Sequence, residues 1–469
     1  MWKADSPRHI PSAAAILCAA LCARALLPLI AYSWTRDARI FKPPDAASYH
    51  ACAESLARTG SFSISGVPEI VRTPGYPLLL VPGVVLGHVT AVTVLLQIVL
   101  GCLTVWLVYR TTFILTENRL AAATSGLLCA FEPLSVLYCS LLLAETLFAT
   151  TLMLFIFLIL VYLKRGKMRH LVAAACALAA SVYVRPIAYW LPFVMAIFLA
   201  AAVCRRREGH GKDALGAVAF LCICAALIGA WQIRNYCEAG YRGFSGIGDQ
   251  ALYFYDAAAV EAAVRGESYY TVQRRMGYHD STGDASEARR LERMASEARR
   301  IILAHPVTFA AQYARGIART MLDPAAIDYL KFFGRYREGG GLLGKIIDRG
   351  LARTVYELAR ARPTLFWSNL ILGLVLLAYL VSALAAFTGG PAGGIPLAAV
   401  AITAIYLIIL SGGPNALGRF RHPVMPLVCV LAACGCERMR RRGDRRTAYA
   451  GGMGRGAHDG TRPSGTDRV

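Results

Sequence analysis

The chain has 469 residues, of which 56% are hydrophobic and only 17% charged, and its formal net charge is +21. Soluble domains usually contain about 45–50% apolar and about 25% charged residues, so this composition excludes a soluble protein. The apolar runs are long and continuous rather than alternating, which excludes a membrane β-barrel. We therefore predict an all-α polytopic membrane protein.

Ten apolar stretches are predicted to be transmembrane helices, because a helix needs about 20 apolar residues to cross the hydrocarbon core. They cover residues 13–33, 89–109, 120–139, 141–163, 170–184, 187–204, 214–233, 365–387, 395–411 and 423–436. The first stretch has membrane length and no clear small-x-small exit, so we expect a retained helix rather than a cleaved signal peptide.

Lysine and arginine cluster in alternate connections between these stretches, which predicts the orientation. The clusters lie at residues 3–8, 110–119, 164–169, 205–212 and 438–446. The alternation puts both termini in the cytoplasm and the first loop on the outer face of the cytoplasmic membrane. The positive charge is then a signal of topology and of contact with anionic membrane lipids, and it requires no nucleic-acid partner.

Four regions follow from this pattern. Residues 1–233 form an N-terminal membrane module whose first outer loop, 34–88, contains a predicted helix at 46–59. Residues 234–364 form a large outer segment with predicted helices at 285–303 and 301–324, the second following a Pro start. Residues 365–436 return to the membrane, and the basic tail at 437–469 is predicted to be disordered because it has almost no apolar content.

Asp45 stands at the start of the predicted helix in the first loop. Asp is among the best residues for an N-cap, so a purely structural role would explain it. The alternative is a general base, because burial at a membrane surface raises the pKa of a carboxylate towards a useful range.

Further along this loop, Glu69 and Arg72 precede the sequence Thr-Pro-Gly-Tyr-Pro, which predicts a stiff turn back into the membrane. Arg72 either extends to the membrane interface as an anchor or offers a donor fork to a phosphate. Tyr76 belongs to the same turn.

Charged residues inside membrane spans are costly and point to function. They include Glu132, Glu145, Arg24 and, next to the spans, Arg185, Arg419, Arg421 and His422. Individually each could be an interfacial anchor. All except Arg24 are expected near the outer leaflet, where arginines beside carboxylates suit a lipid phosphate and a hydroxyl.

Five short motifs occur in an order that resembles the bacterial GT-C glycosyltransferases, in particular the protein mannosyltransferase-like and lipid A aminoarabinose transferase-like enzymes. They are Asp-x-x-x-Tyr at 45–49, Arg-Thr-Pro-Gly-Tyr-Pro at 72–77, Glu-Thr-Leu-Phe at 145–148, Val-Arg-Pro at 184–186 and Arg-Phe-Arg-His-Pro-x-x-Pro at 419–426. The resemblance covers most of the chain up to about residue 436.

This resemblance implies transfer of a sugar from a polyprenyl-phosphate donor to an envelope lipid, glycan or protein on the outer face. The family's acidic base corresponds to Asp45. A second acidic residue usually accompanies it, but Ala46 follows here, so Glu69, Glu132 or Glu145 would supply any second carboxylate. Donor phosphate contacts are expected from Arg72, Tyr76, Arg185, Arg419, Arg421 and His422.

No cofactor is predicted, since no Cys or His cluster has the spacing of a zinc site; a divalent metal is compatible with the sequence but not indicated by it. The alternative function is a transporter or flippase of a lipid-linked or anionic substrate, although we find no two-fold repeat with matching broken helices. A non-catalytic envelope scaffold would leave the intramembrane carboxylates without a role.

Overall fold

A computed structural model of the chain describes residues 10–204, 210–278, 286–336, 351–387 and 394–455. In these ranges it is helical apart from turns, loops and one short hairpin, which confirms the predicted all-α class. Five helices are long and apolar enough to cross a membrane: α1 (Ala13–Thr35), α4 (Val89–Thr116), α7 (Glu145–Arg165), α10 (His210–Ala239, apolar from Leu215) and α18 (Pro363–Leu384).

Shorter apolar helices complete the bundle. They are α3 (Gly75–Val85), α5 (Arg119–Ala130), α8 (Met168–Val184), α9 (Leu191–Cys204) and α19 (Gly394–Leu410), together with the apolar half of α20 (Met425–Arg455). Large apolar side chains such as Leu29, Trp34 and Phe193 are more than half exposed on the outside of the bundle, as expected for a surface that faces lipid.

The third predicted span, 120–139, is not one continuous helix. It ends as α5 at Ala130 and restarts as α6 (Pro133–Tyr138). Pro133 has no N–H to continue the helix, and it restricts the preceding Glu132 to an extended conformation, with φ −63° and ψ 120°. The prediction of an unbroken span was therefore wrong at this point.

The first outer loop contains the predicted helix α2 (Ala46–Thr59) and a two-residue antiparallel hairpin, Ser63–Ile64 with Val67–Pro68. It also contains α3, which the sequence analysis did not predict. Helix α3 is apolar but has only 11 residues, and it packs against α2, α4 and α8.

The large outer segment is a set of short helices. They are α11 (Ile247–Ala251), a π-helical turn at Leu252–Ala257, α12 (Ala258–Arg265), α13 (Tyr269–Arg275), α14 (Glu287–Ala304), α15 (Pro306–Leu322), α16 (Ala326–Phe332) and α17 (Leu351–Ala361). Helices α14 and α15 confirm the two predicted for this segment, with the break at His305 just before Pro306.

At the C-terminal end, α20 continues as far as Arg455. The prediction of disorder is therefore wrong for residues 437–455, and residues 456–469 lie outside the described part of the chain. Glu437 pairs with Arg440 and Arg441 one turn further on, which supports the continuing helix.

Three of the predicted cytoplasmic clusters, 110–119, 164–169 and 438–446, meet at one end of the bundle. Lys164 pairs with Glu117 at 2.5 Å, and Arg441 donates to the Thr116 carbonyl at 3.5 Å. The basic residues at 3–8 and at 205–207 lie outside the described residues. The acidic and basic residues of the first loop and of the 419–422 motif lie at the opposite end, where α2, α7, α8 and a 3-10 helix at Gly418–Val424 converge.

Candidate active site

Five charged side chains from five separate parts of the chain form one ion-paired network. Arg419 bridges two carboxylates: it contacts Asp45 Oδ2 at 2.9 Å, and its Nε donates to Glu145 Oε1. Arg72 contacts Asp45 Oδ1 at 3.0 Å, and Arg185 contacts Glu145 Oε1 at 2.9 Å. The order along the network is therefore Arg72–Asp45–Arg419–Glu145–Arg185.

The Arg-Thr-Pro-Gly turn explains how two of these arginines come together. Thr73 Oγ1 donates to the Val184 carbonyl at 3.2 Å. A Cβ on Gly75 would lie 2.7 Å from the Tyr183 carbonyl oxygen, so only glycine allows this approach. The turn therefore docks against the end of α8, and Arg72 and Arg185 come to the same site.

Aromatic rings pack next to two of the arginines, Arg72 and Arg185. The Arg72 guanidinium lies 4.8 Å from the centroid of the Tyr49 ring, and that of Arg185 lies 5.9 Å from Phe148 and 5.8 Å from Phe420. Such contacts favour a desolvated cation and hold its planar group in a fixed orientation.

The network has a surplus of positive charge, since three guanidiniums face two carboxylates. Glu145 is fully buried at the start of α7, whereas the Asp45 side chain keeps 35% exposure and the three arginines keep about 20% each. Asp45 and the arginines are therefore accessible to a ligand, and a bound anion would balance the net charge of +1.

Asp45 occupies the N-cap position of α2, but its side chain makes no capping hydrogen bond. Asp45 therefore does not act as a helix cap, because both of its carboxylate oxygens pair with arginines instead. Burial alone would raise the pKa of Asp45, but the nearby Arg419 and Arg72 guanidiniums outweigh it and hold the pKa below its ordinary value. The expectation of a raised pKa was wrong, because burial at this site comes with two cations.

Two of the predicted carboxylates are outside the network. Glu69 Oε1 accepts hydrogen bonds from the backbone N–H groups of Val71 and Arg72 at 2.6 and 2.8 Å. It therefore fixes the chain at Arg72. Glu132 is buried, and it caps α6 by accepting from the backbone N–H groups of Leu134 and Ser135. Both glutamates have local structural contacts.

Three residues that were predicted to contact the phosphate, Arg421, Tyr76 and His422, are instead buried and contact other parts of the protein. Arg421 is buried and donates to the carbonyls of Thr320 and Asp323 at 2.7 and 2.8 Å, at the end of α15. The Tyr76 hydroxyl donates to Gln97 at 3.0 Å, and the Tyr76 ring packs edge-on against Tyr49 at 4.9 Å. Arg421 and Tyr76 are therefore buried residues that support the site structurally.

His422 is also buried, and its ring packs 5.3 Å from Tyr138. The Tyr138 hydroxyl donates to Asp328 Oδ2 in α16 at 2.9 Å. Sequence reasoning missed Asp328, which is 190 residues away from Tyr138 along the chain and has no motif around it. Burial raises the pKa of Asp328, although the Tyr138 hydrogen bond opposes this.

Within the described ranges, no group of three His, Cys, Asp or Glu side chains is placed to hold a metal ion. The network nevertheless leaves one acceptor open, since Glu145 Oε2 has no hydrogen-bond partner among the described residues.

Comparison with solved structures identifies the fold. The structure superposes on the archaeal oligosaccharyltransferase AglB from Archaeoglobus fulgidus, solved with an inhibitory peptide and a dolichol-phosphate, with a TM-score of 0.53 at 13% sequence identity. The match covers 97% of this chain and 52% of that one. The chain has the GT-C fold. It spans about half of the length of the archaeal enzyme.

Two further comparisons also found matches. Residues 71–231 match the family model of the dolichyl-phosphate-mannose-protein mannosyltransferases, which is a third of the chain. ArnT from Cupriavidus metallidurans aligns over 90% of this chain and 77% of its own length, at 16% identity and a TM-score of 0.37. No curated protein matches the sequence.

Proposed function

We propose that this GT-C protein is a membrane glycosyltransferase that moves a sugar from a polyprenyl-phosphate donor to a hydroxyl of an envelope lipid, glycan or protein. The reaction takes place on the outer face of the cytoplasmic membrane. The observation that carries the proposal is the network of three arginines and two carboxylates at one end of the bundle, with Asp45 as its most exposed carboxylate.

The arginines bind the donor phosphate. Arg72, Arg185 and Arg419 each keep about a fifth of their side chain exposed, so each can donate to a phosphate oxygen without leaving its carboxylate partner. As the sugar leaves, negative charge builds up on the phosphate oxygen that it was bonded to. Guanidiniums already fixed by Glu145 and by aromatic rings stabilise this charge without reorganising.

Asp45 takes the proton from the acceptor hydroxyl. Because its pKa is held below the ordinary value of 3.8, Asp45 is ionised at neutral pH. The acceptor oxygen bonds to the anomeric carbon, the proton passes to Asp45, and the bond from that carbon to the phosphate oxygen breaks with its electron pair on the phosphate. A single displacement of this kind inverts the anomeric centre, for a hexose or a pentose alike.

Asp45→Asn tests the role of the base. The purified protein is reconstituted in vesicles with polyprenyl-phosphate sugars and envelope extracts, and release of the polyprenyl phosphate is measured. Asn keeps the size of Asp45 but cannot take a proton, so we expect transfer to fall about 100-fold or more. Thermal unfolding of the same preparation shows how much stability is lost with the ion pairs to Arg72 and Arg419, so that a folded variant can be compared with the wild type.

Glu54→Gln is the matched control, because Glu54 lies on the same helix in an exposed pair with Arg58. It should retain normal transfer. Near-normal transfer by Asp45→Asn would overturn the assignment of the base. Translocation of the lipid across the vesicle membrane without release of the sugar would favour the transporter instead.

A further inference from the structure

An open cavity lies next to the ion-paired network. Its volume is about 870 Å³, which lies in the range of small-molecule sites. Leu417, in its wall, is two residues from Arg419. On the other side, α15, which carries Arg315 and Arg319 of the wall, packs against the 3-10 helix Gly418–Val424 that carries Arg419. The cavity therefore opens next to the proposed base.

Four tyrosines form one part of the wall: Tyr255, Tyr269, Tyr270 and Tyr278. They are arranged in two pairs. The ring centroids of Tyr269 and Tyr270 are 5.5 Å apart, and the hydroxyls of Tyr255 and Tyr278 are 2.9 Å apart. Tyr270 keeps 72% of its surface exposed. An aromatic ring with a hydroxyl at its edge offers a flat apolar face and a hydrogen-bonding group together.

Three arginines form another part of the wall: Arg274, Arg315 and Arg319. Among the described residues none of them has a carboxylate partner within 4 Å. The one acid in the wall, Glu267, is already paired with Arg275 at 2.7 Å. The cavity thus has positive charge that nothing described in the protein neutralises.

The remaining wall is the loop from Gly413 to Leu417, held against α15. A Cβ on Gly316 would collide with the Gly413 backbone, so the loop and the helix touch through their main chains. Arg319 donates to the Pro414 carbonyl at 3.5 Å. Asp256 lies against Gly413 of this loop. Burial raises the pKa of Asp256 to about 7, so this carboxyl group carries only part of a negative charge at neutral pH.

We infer that this cavity, lined by the four tyrosines and by Arg274, Arg315 and Arg319, is the acceptor site and that the acceptor is a glycan carrying acidic groups. The C–H faces of sugar rings pack on tyrosine rings, and their hydroxyls bond with the amides of Gln312 and Asn415. The arginines bind the carboxylate or phosphate groups. This inference rests on the proposed transferase, whose base would meet an acceptor hydroxyl at the inner end of the cavity.

Saturation-transfer NMR on the full chain in nanodiscs tests the inference, because it detects weak binding. The probes are trigalacturonate, trehalose 6-phosphate, the neutral trisaccharide maltotriose and inorganic phosphate. We expect both acidic saccharides to bind at least about tenfold more tightly than maltotriose. A preference between them tells whether carboxylate or phosphate is the natural acidic group.

The double variant Arg274→Gln/Arg315→Gln should weaken binding of the acidic saccharides about tenfold or more, and Tyr270→Ala should weaken binding of both classes of sugar. Arg299→Gln, an exposed arginine on α14 outside the cavity, is the matched control and should bind normally. Monodisperse elution of each variant checks that it folds.

Three outcomes would overturn the inference: equal binding of maltotriose and trigalacturonate, competition by inorganic phosphate as strong as that by the acidic sugars, or no effect of the double arginine variant. Failure of the proposed function looks different. In that case the wild-type protein would bind no polyprenyl phosphate and would release none from the sugar donor in the vesicle assay, whatever the result with saccharides.

Discussion

At the scale of single residues, two arginines of one short helix have opposite environments. Arg419 joins Asp45 and Glu145 and keeps a partly exposed edge. Arg421, two residues later, is buried and directs its donors to backbone carbonyls at the end of α15. We therefore propose that Arg419 contacts the donor phosphate, whereas Arg421 stabilises the outer segment.

Substitution by glutamine should separate the two roles. Arg419→Gln should lower transfer about 10- to 100-fold at low donor concentration, because one charge-assisted contact to the phosphate is lost. Arg421→Gln should instead lower the free energy of unfolding by about 1–3 kcal/mol, because buried carbonyls lose their donor. Donor titrations and thermal unfolding on the same two preparations measure both effects. Undiminished transfer by Arg419→Gln at low donor concentration would contradict the assignment.

The sequence predicted part of this site. Asp45, Arg72, Glu145, Arg185 and Arg419 were all candidates, and the structure brings these five together. The residue type and its position in the membrane show where a charged side chain is energetically costly. They do not show which group that side chain contacts, and for this reason Glu132 and Arg421 were also predicted as site residues.

For Glu132 a local signal was nevertheless present. The proline after it is typical of the first position of a helix, and a carboxylate just before such a position can cap it. For Arg421 no local signal exists, because its partners are about 100 residues away in the chain.

At the scale of helices, the break in the third span depends on a charged residue from the first. Arg24 is almost fully buried in α1, and it donates to the carbonyls of Ala130 and Cys129 at 2.8 and 3.1 Å. These carbonyls end α5, where Pro133 prevents a continuing helix from satisfying them. The positive side chain also interacts favourably with the negative end of the helix dipole.

We therefore expect Arg24→Met to destabilise the protein although methionine suits a membrane helix. The buried carbonyls at the end of α5 would lose their donors, at a cost of about 1–3 kcal/mol in the free energy of unfolding. Arg119→Met, at the exposed start of the same helix, is the control and should unfold like the wild type. Thermal unfolding followed with a thiol-reactive dye measures both. If Arg24→Met melted at or above the temperature of the wild type, Arg24 would not stabilise the end of α5.

At the scale of the whole molecule, hydropathy predicted where the helices are better than it predicted which helices contact one another. Long apolar runs such as that of α7 need no partner to be recognised. The site, in contrast, depends on residues as far apart as Asp45 and Arg419, 374 positions from each other. Helix α3 was missed because its 11 apolar residues are too few for a span and do not alternate as a strand would.

The orientation of the bundle in the membrane can be tested at its two ends. The basic-residue pattern predicts that the first loop faces outside and that the α4–α5 connection faces the cytoplasm. Ser61→Cys and Glu117→Cys, each at an exposed position in a chain whose native cysteines are replaced by serine, report on these two ends.

An impermeant maleimide should label Ser61→Cys in intact cells or spheroplasts, and Glu117→Cys only after permeabilisation. The reverse result would place the five-residue network in the cytoplasm. A sugar on an outward-facing polyprenyl phosphate could not then reach Asp45, so the proposed transfer on the outer face would be excluded, although the GT-C fold would stand.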